Sequence, residues 1–443
     1  MAAEDHITLS PTQTDIVQRI RAKQARIGII GLGYVGLPLA VEFARAGFDV
    51  TGFDVDPAKN AQINAGRSFI PDVPDAEVDA MVKAGRLRAT ADMSQLGAMD
   101  AIDICVPTPL RKTKDPDLSY VVKAVEAVAA SLRPGQLIVL ESTTYPGTTE
   151  EVVQPMLEAG GLKADVDFLL AFSPERVDPG NVQHTTRTIP KVVGGLGRAS
   201  TEAAFLLYAS VVTTVVPVAS TRVAEMVKLL ENTFRAVNIG LVNEIALMCH
   251  KMDINVWEVI EAAKTKPFGF MPFYPGPGLG GHCIPIDPFY LSWKARQNGF
   301  ECRFIELAGQ VNSAMPEYVV QRVADALNSV KKPVNGSRIH LFGVAYKKDV
   351  GDVRESPALD IIELLVRRGA AVTYTDPYVP TLSHAGHELE SVPFDLAINS
   401  PCDCAVIATD HRTFDFARIA GLPLLVDTRN ALRGFAQPSI FRL

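Results

Sequence analysis

One loop of the sequence places a cysteine among residue types that let a ligand reach the backbone. Residues 280–288 read GGHCIPIDP. Asp287 followed by Pro288 predicts the N-cap and first position of a helix over Phe289–Gln297. The N–H groups at such a helix start favour the thiolate of Cys283, the form that attacks carbonyl carbon. Cys283 is therefore a candidate nucleophile, and the alternative is a buried structural cysteine.

A second motif has the residue pattern of a dinucleotide site. Residues 31–36 read GLGYVG, between an apolar strand over 27–30 and an apolar helical pattern that ends at Gly47. A second strand over 50–53 then runs into Asp54. Strand, glycines, helix, strand and terminal acid together form the βαβ fingerprint, whereas a glycine triplet alone also fits an unrelated α/β protein.

The glycines and the acid have separate predicted roles in holding a cofactor. Gly31 permits the tight turn, Gly33 lets a pyrophosphate approach the helix N-terminus, and Gly36 lets helix and strand pack closely. Asp54 accepts hydrogen bonds from the ribose and repels a 2′-phosphate, which favours NAD over NADP. The candidate cofactor residues of this motif are Gly31, Gly33, Tyr34, Val35, Gly36 and Asp54.

The composition fits an enzyme of more than one domain in a reducing compartment. The chain has 443 residues, of which 47% are hydrophobic, and a formal net charge of -7, which argues against nucleic acid or an acidic membrane as partner. Its cysteines show no disulfide or zinc spacing, and no signal peptide or membrane-length apolar run is found. We therefore expect a cytoplasmic protein without a metal site, with His384 and His387 in a surface loop.

Strands and helices alternate over residues 26 to about 210, which predicts a doubly wound sheet. Beyond the βαβ unit, strands are predicted over 101–106, 136–140, 168–172, 191–193 and 211–218. Ligands of such sheets bind at the carboxyl ends of the strands. The polar residues at these ends include Thr108, Thr143, Glu175 and Arg176.

A long helix with a serine cap is predicted over residues 220–252. Along it, Glu225, Lys228, Asn232 and Arg235 recur at steps of three and four and form one polar stripe. Such a stripe is ordinarily a solvated face. Lys228 and Asn232, however, also place two donors on one side, as an oxyanion site requires.

The remaining sequence predicts more helices and then a second α/β lobe. Helices are predicted over 254–264 and 304–327, the latter with a break at Pro316. The lobe that follows has predicted strands over 339–344, 371–374, 405–408 and 424–427 and a helix over 356–368. It lacks a GxGxxG motif, but its first loop reads AYKKDVGDVRES and puts Lys347 and Arg354 at a strand's carboxyl end, where they can bind phosphate.

The predicted fold is therefore α/β, with an N-terminal doubly wound Rossmann-like lobe, a helical middle domain with a long connecting helix, and a second Rossmann-like lobe at the C-terminus. The predicted divisions are an N-terminal extension (1–25), a NAD-binding domain (26–218), a helical central domain with the cysteine loop (219–330) and a C-terminal domain (331–443).

With these motifs in this order, the chain after residue 25 resembles the UDP-glucose/GDP-mannose dehydrogenase family. Residues 273–290 and 141–150 are most similar to its branch acting on UDP-N-acetylhexosamines. UDP-glucose members usually have Ser before the cysteine and Lys before the aspartate, where this chain has His282 and Ile286. They also tend to place a sugar-binding arginine upstream, where residues 264–270 read KTKPFGF. The resemblance thus implies a UDP-N-acetylhexosamine substrate and a C-terminal domain that binds the UDP-sugar.

The family chemistry is a four-electron oxidation of the sugar C6 alcohol to a carboxylate, with two NAD used in succession. For this chain it implies conversion of UDP-N-acetylglucosamine to its uronate, through a thiohemiacetal and a thioester on the cysteine. The catalytic residues implied are Cys283, Lys228, Asn232, Asp287, Glu175 and Thr143. Lys228 and Asn232 would stabilise negative charge on oxygen, and the last three would orient or activate water or hold the lysine.

The resemblance also implies binding residues and partners. The cofactor positions add Thr108, Thr143 and Arg354 to those named above. The sugar-nucleotide positions are Glu175, Arg176, Lys228, Asn232, Tyr274, Gly278, Gly281 and Lys347. A homodimer or higher homo-oligomer built on the middle domain is implied, as is a supply of sugar acids for surface polysaccharide or lipopolysaccharide.

Three other functions remain open from the residues. UDP-N-acetylmannosamine, UDP-N-acetylgalactosamine or UDP-glucose would use the same catalytic residues in a pocket of different shape. A non-catalytic NAD-binding regulator would keep the fold without needing the cysteine, lysine, asparagine and aspartate together. A two-electron hydroxyacid dehydrogenase would have no need of Cys283 and would stop after one NADH.

Overall fold

The computed structural model describes residues 10–70, 72–111, 115–177 and 185–443, so the start of the predicted N-terminal extension lies outside the described residues. The chain divides into two units, the first ending at Glu231 and the second running from Asn232 to Leu443. Each unit is built around its own sheet.

The first unit contains the predicted doubly wound sheet. Its strands are β1 (Arg26–Ile30), β2 (Asp49–Phe53), β3 (Leu87–Thr90), β4 (Ala101–Ile104), β5 (Leu137–Leu140), β6 (Leu169–Phe172), β7 (Lys191–Gly195) and β8 (Val215–Pro217). Among the described residues the strand order is β3-β2-β1-β4-β5-β6-β7-β8. Only the β6–β7 pair within this order is antiparallel. The order reverses between β1 and β4, which is where ligands of such sheets bind.

The central strands of this sheet are buried on both faces, as is typical of sheets covered by helices. The helices of the first unit are α1 (Pro11–Arg21), α2 (Gly36–Ala46), α3 (Pro57–Asn64), α4 (Asp75–Lys83), α5 (Ser119–Ala129), α6 (Gln154–Glu158) and α7 (Arg198–Ala209). Helix α2 ends where predicted, because Gly47 takes the left-handed conformation with φ of 105°. Helix α1 packs Ile16, Val17 and Ile20 into the core, so the residues before β1 contribute to the first unit.

Helix α8 (Thr221–Lys251) is the predicted long helix, and it crosses from the first unit into the second. The hydroxyl of Ser220 accepts a hydrogen bond from the Val223 N–H at 3.3 Å, as an N-cap does. Three residues of the predicted polar stripe, Glu225, Lys228 and Asn232, are buried. The interpretation of the stripe as an ordinary solvated face is therefore wrong for these three and holds for the exposed Arg235.

The second unit contains the predicted second Rossmann-like lobe. Its strands are β9 (Arg338–Phe342), β10 (Ala371–Thr375), β11 (Thr381–His384), β12 (His387–Glu390), β13 (Cys404–Ile407), β14 (Leu425–Asp427) and β15 (Ile440–Arg442). Five of them form a parallel sheet in the order β10-β9-β13-β14-β15, and β11 and β12 form a separate hairpin. Its helices after α8 are α9 (Val256–Ala263), α10 (Asp287–Gln297), α11 (Arg303–Ser329), α12 (Pro357–Arg367), α13 (Phe394–Asn399) and α14 (Phe416–Ala420).

The start of α10 differs from the prediction by one residue. Asp287 is the first helical residue and not the N-cap, because its N–H already donates to the Cys283 carbonyl at 2.8 Å in a helical i to i−4 bond. Its carboxylate accepts from the Asn232 side-chain amide at 2.6 Å instead of capping the helix. The cysteine carbonyl therefore begins the helical hydrogen bonding.

The predicted break at Pro316 is wrong, since α11 continues through it from Arg303 to Ser329. Residues on both sides of the proline pack in the core of the second unit, and that packing outweighs the lost backbone hydrogen bond. The Asn312 carbonyl, which the proline cannot pair, lies beside the backbone of Gly278, where a Cβ would come within 3.4 Å of it. The cysteine loop thus packs against the Asn312 carbonyl, the group to which Pro316 cannot donate a hydrogen bond.

The surface loop predicted around His384 and His387 is also wrong, because these residues pair in the β11–β12 hairpin. Ala385 and Gly386 form its two-residue turn with φ of 50° and 80°. A turn with two positive φ values matches the twist of the flanking strands.

Candidate active site

The three glycines of the first motif lie in three different environments. A Cβ on Gly31 would lie 2.5 Å from the Cys105 carbonyl oxygen, and one on Gly36 would lie 1.9 Å from the Gly31 carbonyl oxygen. A Cβ on Gly33 would meet no atom within 4 Å. Gly31 and Gly36 therefore serve backbone packing, whereas Gly33 borders open space at the start of α2.

Asp54 follows β2, as predicted, and lies against the glycine loop. Its carboxylate accepts hydrogen bonds from the N–H groups of Leu32 and Asp56, each at 3.0 Å. Lys59 lies 3.6 Å from the same carboxylate. Of the other predicted cofactor residues, Tyr34 is 40% exposed in the glycine loop, and Val35 packs against the core beneath it.

A serine joins the two strand ends that carry the predicted threonines. The Ser142 hydroxyl accepts from the Val106 N–H at 2.9 Å and lies 2.8 Å from the Val106 carbonyl. Thr108 and Thr143, two residues beyond Val106 and one beyond Ser142, are half-buried at the carboxyl ends of β4 and β5. The fold thus brings the ends of these strands together where ligands of doubly wound sheets bind.

Beneath this edge lies a buried network of charged side chains that the sequence analysis missed. The Lys191 ammonium lies 3.0 Å from Glu141 and 3.1 Å from Glu175. The Tyr208 hydroxyl lies 2.5 Å from Glu141 and 2.7 Å from Asp103. We define these five residues as the buried network. The sequence signal for this network is a lysine or a glutamate next to an apolar strand. That signal does not show which strand ends will lie together in the folded sheet.

The carboxyl groups of the buried network differ in the direction of their pKa shifts. Burial and the neighbouring Glu141 raise the pKa of Asp103 well above its usual range. Burial also raises the pKa of Glu141, against the opposing effect of Lys191. For Glu175, burial is outweighed by Lys191 and by a backbone hydrogen bond, so its pKa is lowered. The surroundings thus favour the ionised form of Glu175 and the protonated form of Asp103.

Glu175 connects the buried network to the predicted catalytic lysine. Its carbonyl oxygen accepts from the Lys228 ammonium at 2.6 Å, and its carboxylate accepts from the N–H groups of Arg176 and Val177, each at 2.7 Å. Arg176, a predicted substrate residue, forms a two-pronged ion pair with Glu231 at 2.5 and 3.2 Å. The structure therefore brings Glu175 and Lys228 together and directs the Arg176 side chain to a carboxylate.

Glu225, one turn before Lys228 on α8, fixes the loop that follows Thr143. Its carboxylate accepts from the Gly147 N–H at 2.5 Å and from the N–H and hydroxyl of Thr149 at 2.9 and 2.7 Å. Burial raises the pKa of Glu225 to about 7 although these three donors favour the ionised form. The loop is thus held by a carboxyl group that titrates near neutral pH.

In the second unit, Asn232 and the cysteine loop converge on the start of α10. The Asn232 amide donates to Asp287 at 2.6 Å, and the Asp287 N–H donates to the Cys283 carbonyl at 2.8 Å. Asp287 is 2% exposed and Cys283 is half-buried. The structure therefore brings Asn232 and the backbone of Cys283 to the same residue, Asp287.

Two buried amides anchor the cysteine loop upstream of the thiol. Asn243 on α8 accepts from the Gly276 N–H at 3.0 Å and donates to Asn312 on α11 at 2.9 Å. Gly278 has a φ of 138°, and a Cβ at this position would lie 3.0 Å from Pro357, so the position requires a glycine. The predicted substrate residue Tyr274 is 43% exposed and donates to Glu261 at 3.0 Å.

The cysteine loop is also bonded to the cationic loop that follows β9. The Gly281 N–H donates to the Arg354 carbonyl at 3.0 Å, and a Cβ on Gly281 would lie 2.8 Å from the Tyr346 ring. The Arg354 side chain pairs with Asp352 at 2.6 Å. Arg354 thus belongs to the second unit, whereas the other predicted cofactor residues belong to the first. Lys347 is half-buried in the same loop.

Arg429, after β14, is a further cation that the sequence analysis missed. It lies at the carboxyl edge of the parallel sheet, the same edge that carries Lys347 after β9. Its side chain approaches Gly276, where a Cβ would lie 2.8 Å from its Nη1 atom. A cation directly after an apolar strand is the sequence signal that identified Lys347, and it applies equally to Arg429.

The described residues form neither a cluster of metal ligands nor a membrane-crossing helix. No group of three or more histidine, cysteine or acidic side chains in the described ranges is arranged to hold a metal ion. No helix of the described chain has the length and apolarity needed to cross a membrane.

Three domains of known proteins match the chain in order. They are the NAD binding domain (residues 25–212), the central domain (222–314) and the UDP binding domain (340–434) of UDP-glucose/GDP-mannose dehydrogenases. The chain belongs to the UDP-glucose/GDP-mannose dehydrogenase family. It is an NAD-dependent oxidoreductase of nucleotide sugars, as the family is.

Similar members of the family carry the names of different N-acetylated sugars. UDP-N-acetyl-D-glucosamine 6-dehydrogenase of Pseudomonas aeruginosa is 36% identical over 394 residues, 88% of this chain and 92% of that protein. NDP-N-acetyl-D-galactosaminuronic acid dehydrogenase of Ralstonia nicotianae is 37% identical over 416 residues, 91% of this chain and 95% of that protein. The structure of UDP-D-ManNAc dehydrogenase from Pyrococcus horikoshii superimposes with a TM-score of 0.85 at 34% identity, covering 94% of this chain and 98% of that one.

The first unit fits NAD, the family's cofactor. The open space at Gly33 leaves room for a pyrophosphate at the start of α2, where N–H groups favour an anion. The Asp54 carboxylate stands at the end of β2, the position that holds the ribose of NAD in this fold.

Two glycine substitutions will separate folding from cofactor binding. Gly36→Ala is expected to lower the free energy of unfolding by more than about 3 kcal/mol, because its Cβ would overlap backbone. Gly33→Ala is expected to leave stability within about 0.5 kcal/mol but to raise the Kd for NAD about tenfold or more, because its methyl group fills the open space. Thermal unfolding and NAD titration measure the two effects. Unchanged NAD affinity in Gly33→Ala would contradict the placement of the pyrophosphate.

The Glu225 carboxyl will make stability depend on pH. Its pKa is raised from 4.5 to about 7, so the folded protein retains a proton that the unfolded chain releases in this window. The contribution of Glu225 is therefore greatest at low pH and falls by up to about 3 kcal/mol as pH rises to neutrality. Denaturant unfolding from pH 4.5 to pH 8 should show a steeper decline in the wild type than in Glu225→Gln. The exposed Glu244→Gln on the same helix is the control, and equal slopes in all three proteins would refute the assignment.

Proposed function

We propose that this protein oxidises the C6 alcohol of a UDP-N-acetylhexosamine, UDP-N-acetylglucosamine first among them, to the carboxylate. The observation that carries the proposal is the convergence of Asn232, Asp287 and Cys283 at the start of α10. A two-electron dehydrogenase has no use for a thiol at this point. A thiol near the reacting carbon allows an aldehyde to be held and oxidised again.

Lys228 and Asn232 act in the first oxidation by stabilising the negative charge that develops on the C6 oxygen as its proton passes to water, and hydride loss from C6 then gives the aldehyde. The ammonium carries three N–H donors, and the amide carries two. In the structure each group uses one donor for a fixed partner, the Glu175 carbonyl and the Asp287 carboxylate. These bonds orient the side chains before substrate arrives, and such preorganisation is what makes a charged donor effective at a developing anion.

Cys283 acts in the second oxidation. Its thiolate forms a bond to the aldehyde carbon as the carbonyl π bond breaks, and the oxygen takes a proton to give a thiohemiacetal. Loss of a hydride and that proton gives a thioester. Water then forms a bond to the carbonyl carbon, the C–S bond breaks, and the thiolate is regained with the carboxylate as product. Bound NAD is the acceptor of the hydride in each oxidation.

Three residues serve the hydrolytic step in this proposal. Asp287 is a buried carboxylate, four residues beyond the thiol, and can take a proton from the attacking water. Thr143 offers a hydroxyl to orient a water or substrate, and Glu175 holds Lys228. These roles follow the family pattern and await test by substitution.

The binding roles are proposed on the same basis. Gly31, Gly33, Gly36, Asp54 and Thr108 contribute to the NAD site, as the open space at Gly33 supports. We propose that Lys347 contacts the diphosphate of the UDP-sugar and that Arg429 joins it from the same sheet edge. The proposed domains are those of the sequence analysis, with UDP-sugar binding in 331–443.

The N-acetylated sugar is favoured over UDP-glucose by the relatives. Proteins named for N-acetylglucosamine, N-acetylgalactosaminuronic acid and N-acetylmannosamine are similar to this chain at 36%, 37% and 36% identity. His282 and Ile286 around the cysteine also depart from the UDP-glucose pattern. A second candidate is therefore UDP-N-acetylmannosamine, the sugar named for the superimposed structure. For the compartment we propose the cytoplasm, where the six free thiols would stay reduced.

We also propose a homodimer formed through α8. Phe234, Leu241 and Met248 recur every seven residues on this helix and are 46%, 53% and 47% exposed. An exposed apolar stripe with heptad spacing is the pattern of a helix that packs against a second copy.

Cys283→Ser is expected to stop the reaction before the carboxylate. The serine hydroxyl is a far weaker nucleophile than a thiolate, so carboxylate formation should fall by more than about 1,000-fold, while NAD affinity stays within about twofold. Mass analysis of products from UDP-N-acetylglucosamine measures this. Cys302→Ser, which removes another half-buried thiol, is the matched control. Carboxylate produced at a near wild-type rate by Cys283→Ser would overturn the mechanism.

Leu241→Glu is expected to convert the dimer into a monomer, because a charge buried in the proposed α8 interface costs several kcal/mol. Sedimentation at micromolar concentration measures the change. The control is Glu244→Gln, an exposed position on the same helix. A wild-type protein that sediments as a monomer would refute the proposed dimer.

A further inference from the structure

The buried network contains a lysine that no part of the proposed reaction uses. Lys191 opens β7, and its side chain is 5% exposed. The charged and polar groups that face it are Glu141 after β5, Glu175 after β6, Tyr208 on α7 and, through Tyr208, Asp103 on β4. One ammonium therefore stands between two carboxylates and is itself almost fully buried.

The proton count of the network leaves Lys191 as the cation that neutralises Glu175. The Tyr208 hydroxyl has a single proton but lies within hydrogen-bond distance of both Asp103 and Glu141. One of those carboxyls must therefore carry a proton, and Asp103 is the one that burial protonates. Glu141 and Glu175 then remain as carboxylates on either side of Lys191. Burial alone would lower the pKa of Lys191, but these two carboxylates outweigh burial and raise it.

The contact between Lys191 and Glu175 affects which atom of Glu175 contacts Lys228. One carboxylate oxygen of Glu175 contacts Lys191, and the other accepts from two consecutive backbone N–H groups. Both carboxylate oxygens of Glu175 are therefore held in place. Its carbonyl oxygen is thereby placed to accept from the Lys228 ammonium at 2.6 Å. Because Lys191 occupies the Glu175 carboxylate, Lys228 bonds to the carbonyl and not to the charged oxygens.

We propose that Lys191 is a positioning residue: it neutralises the Glu175 carboxylate so that the Lys228 ammonium is held by a neutral carbonyl and stays available to the substrate oxygen. This inference rests on the proposed function only in taking Lys228 as catalytic. Without Lys191, the Lys228 ammonium becomes the nearest cation to a buried carboxylate. It is then expected to turn to that carboxylate and away from substrate.

The alternative is that Lys191 is an ion pair that serves stability alone. Removing one member of a buried ion pair destabilises a protein through the charge left behind, whereas removing both members is often tolerated. The test therefore uses a charge-balanced double variant, Lys191→Met with Glu141→Gln. Glu141→Gln alone is the matched control, because it keeps the contact between Lys191 and Glu175. Lys191→Gln, which keeps a donor beside Glu175 but removes the charge, is a second route if the double variant does not fold.

Two measurements on folded variants decide between these roles. The first is kcat and KM with UDP-N-acetylglucosamine and NAD. For the double variant we expect a kcat at least about tenfold below that of Glu141→Gln, with the KM for NAD within about twofold, since a misplaced catalytic group costs turnover more than cofactor binding. Lys191→Gln, which removes the charge, should likewise lose kcat. Equal kcat in all folded variants would overturn the proposal.

The second measurement does not depend on activity. The rate of Lys228 acetylation at one fixed pH, followed by mass spectrometry, reports how firmly this amine is held by its neighbours. In the double variant the rate should fall at least about threefold relative to Glu141→Gln, because an amine that turns to the Glu175 carboxylate is less available to the reagent. An unchanged rate would overturn the proposal. This readout separates the two failures, since a wild type that oxidises no nucleotide sugar contradicts the proposed function and leaves the acetylation result valid.

Discussion

The need to pair every buried polar group on one face of α8 organises the candidate active site. Glu225, Lys228 and Asn232 lie on successive turns of this helix, and all three are buried. A buried polar group without a partner costs free energy of folding, so each must find one. Each pairs with a different segment of the chain. Glu225 binds the loop after Thr143, Lys228 binds the carbonyl of Glu175, and Asn232 binds Asp287, the first residue of α10.

The side chains that pair inside the protein thus include the two proposed catalytic donors, Lys228 and Asn232. The ammonium carries three N–H groups and the amide two, and one of each is bonded to a protein partner among the described residues. Because α8 is a long helix without proline, the spacing between these donors is set by helix geometry and not by a loop. Sites on rigid elements hold their groups more accurately than sites on loops.

Each of the two sheets has an acidic residue at the end of its second strand, and the two acids have different partners. Asp54 follows the second strand of the first sheet and lies against the glycine loop, where NAD binds in this fold. Asp376 occupies the matching position after β10, but its carboxylate accepts from the Val344 and Ala345 N–H groups at 2.7 and 3.0 Å and pairs with the buried His411 at 2.9 Å. In the second sheet the acid therefore fixes the start of the loop that carries Lys347.

Local patterns in the sequence predicted the parts of the site that are contiguous along the chain. The glycine loop with Asp54, the strand ends at Thr108 and Thr143, and the α8 cap each depend on neighbours in sequence. The buried network could not be predicted, because Lys191 reads as the first residue of an apolar strand and meets Glu141 only after the sheet has formed.

Two of the errors have the same physical origin, a tertiary contact that outweighs a local preference. Pro316 predicted a break from local backbone chemistry, but packing on both sides of it keeps α11 continuous. Asp287 was expected to cap its own helix, yet its carboxylate pairs with Asn232, a residue far away in sequence. Ala385 and Gly386 do carry a local signal, an X-Gly pair between short polar strands, and the compositional interpretation overlooked it.

The central claim is that one site oxidises a nucleotide sugar twice, with the thiol of Cys283 holding the intermediate. The most direct test is the yield of NADH per nucleotide sugar at completion, measured with UDP-N-acetylglucosamine, UDP-N-acetylmannosamine, UDP-N-acetylgalactosamine and UDP-glucose. The account predicts about two NADH and one carboxylate for each molecule of UDP-N-acetylglucosamine consumed. A yield of one NADH, with an aldehyde or ketone as product, would contradict it.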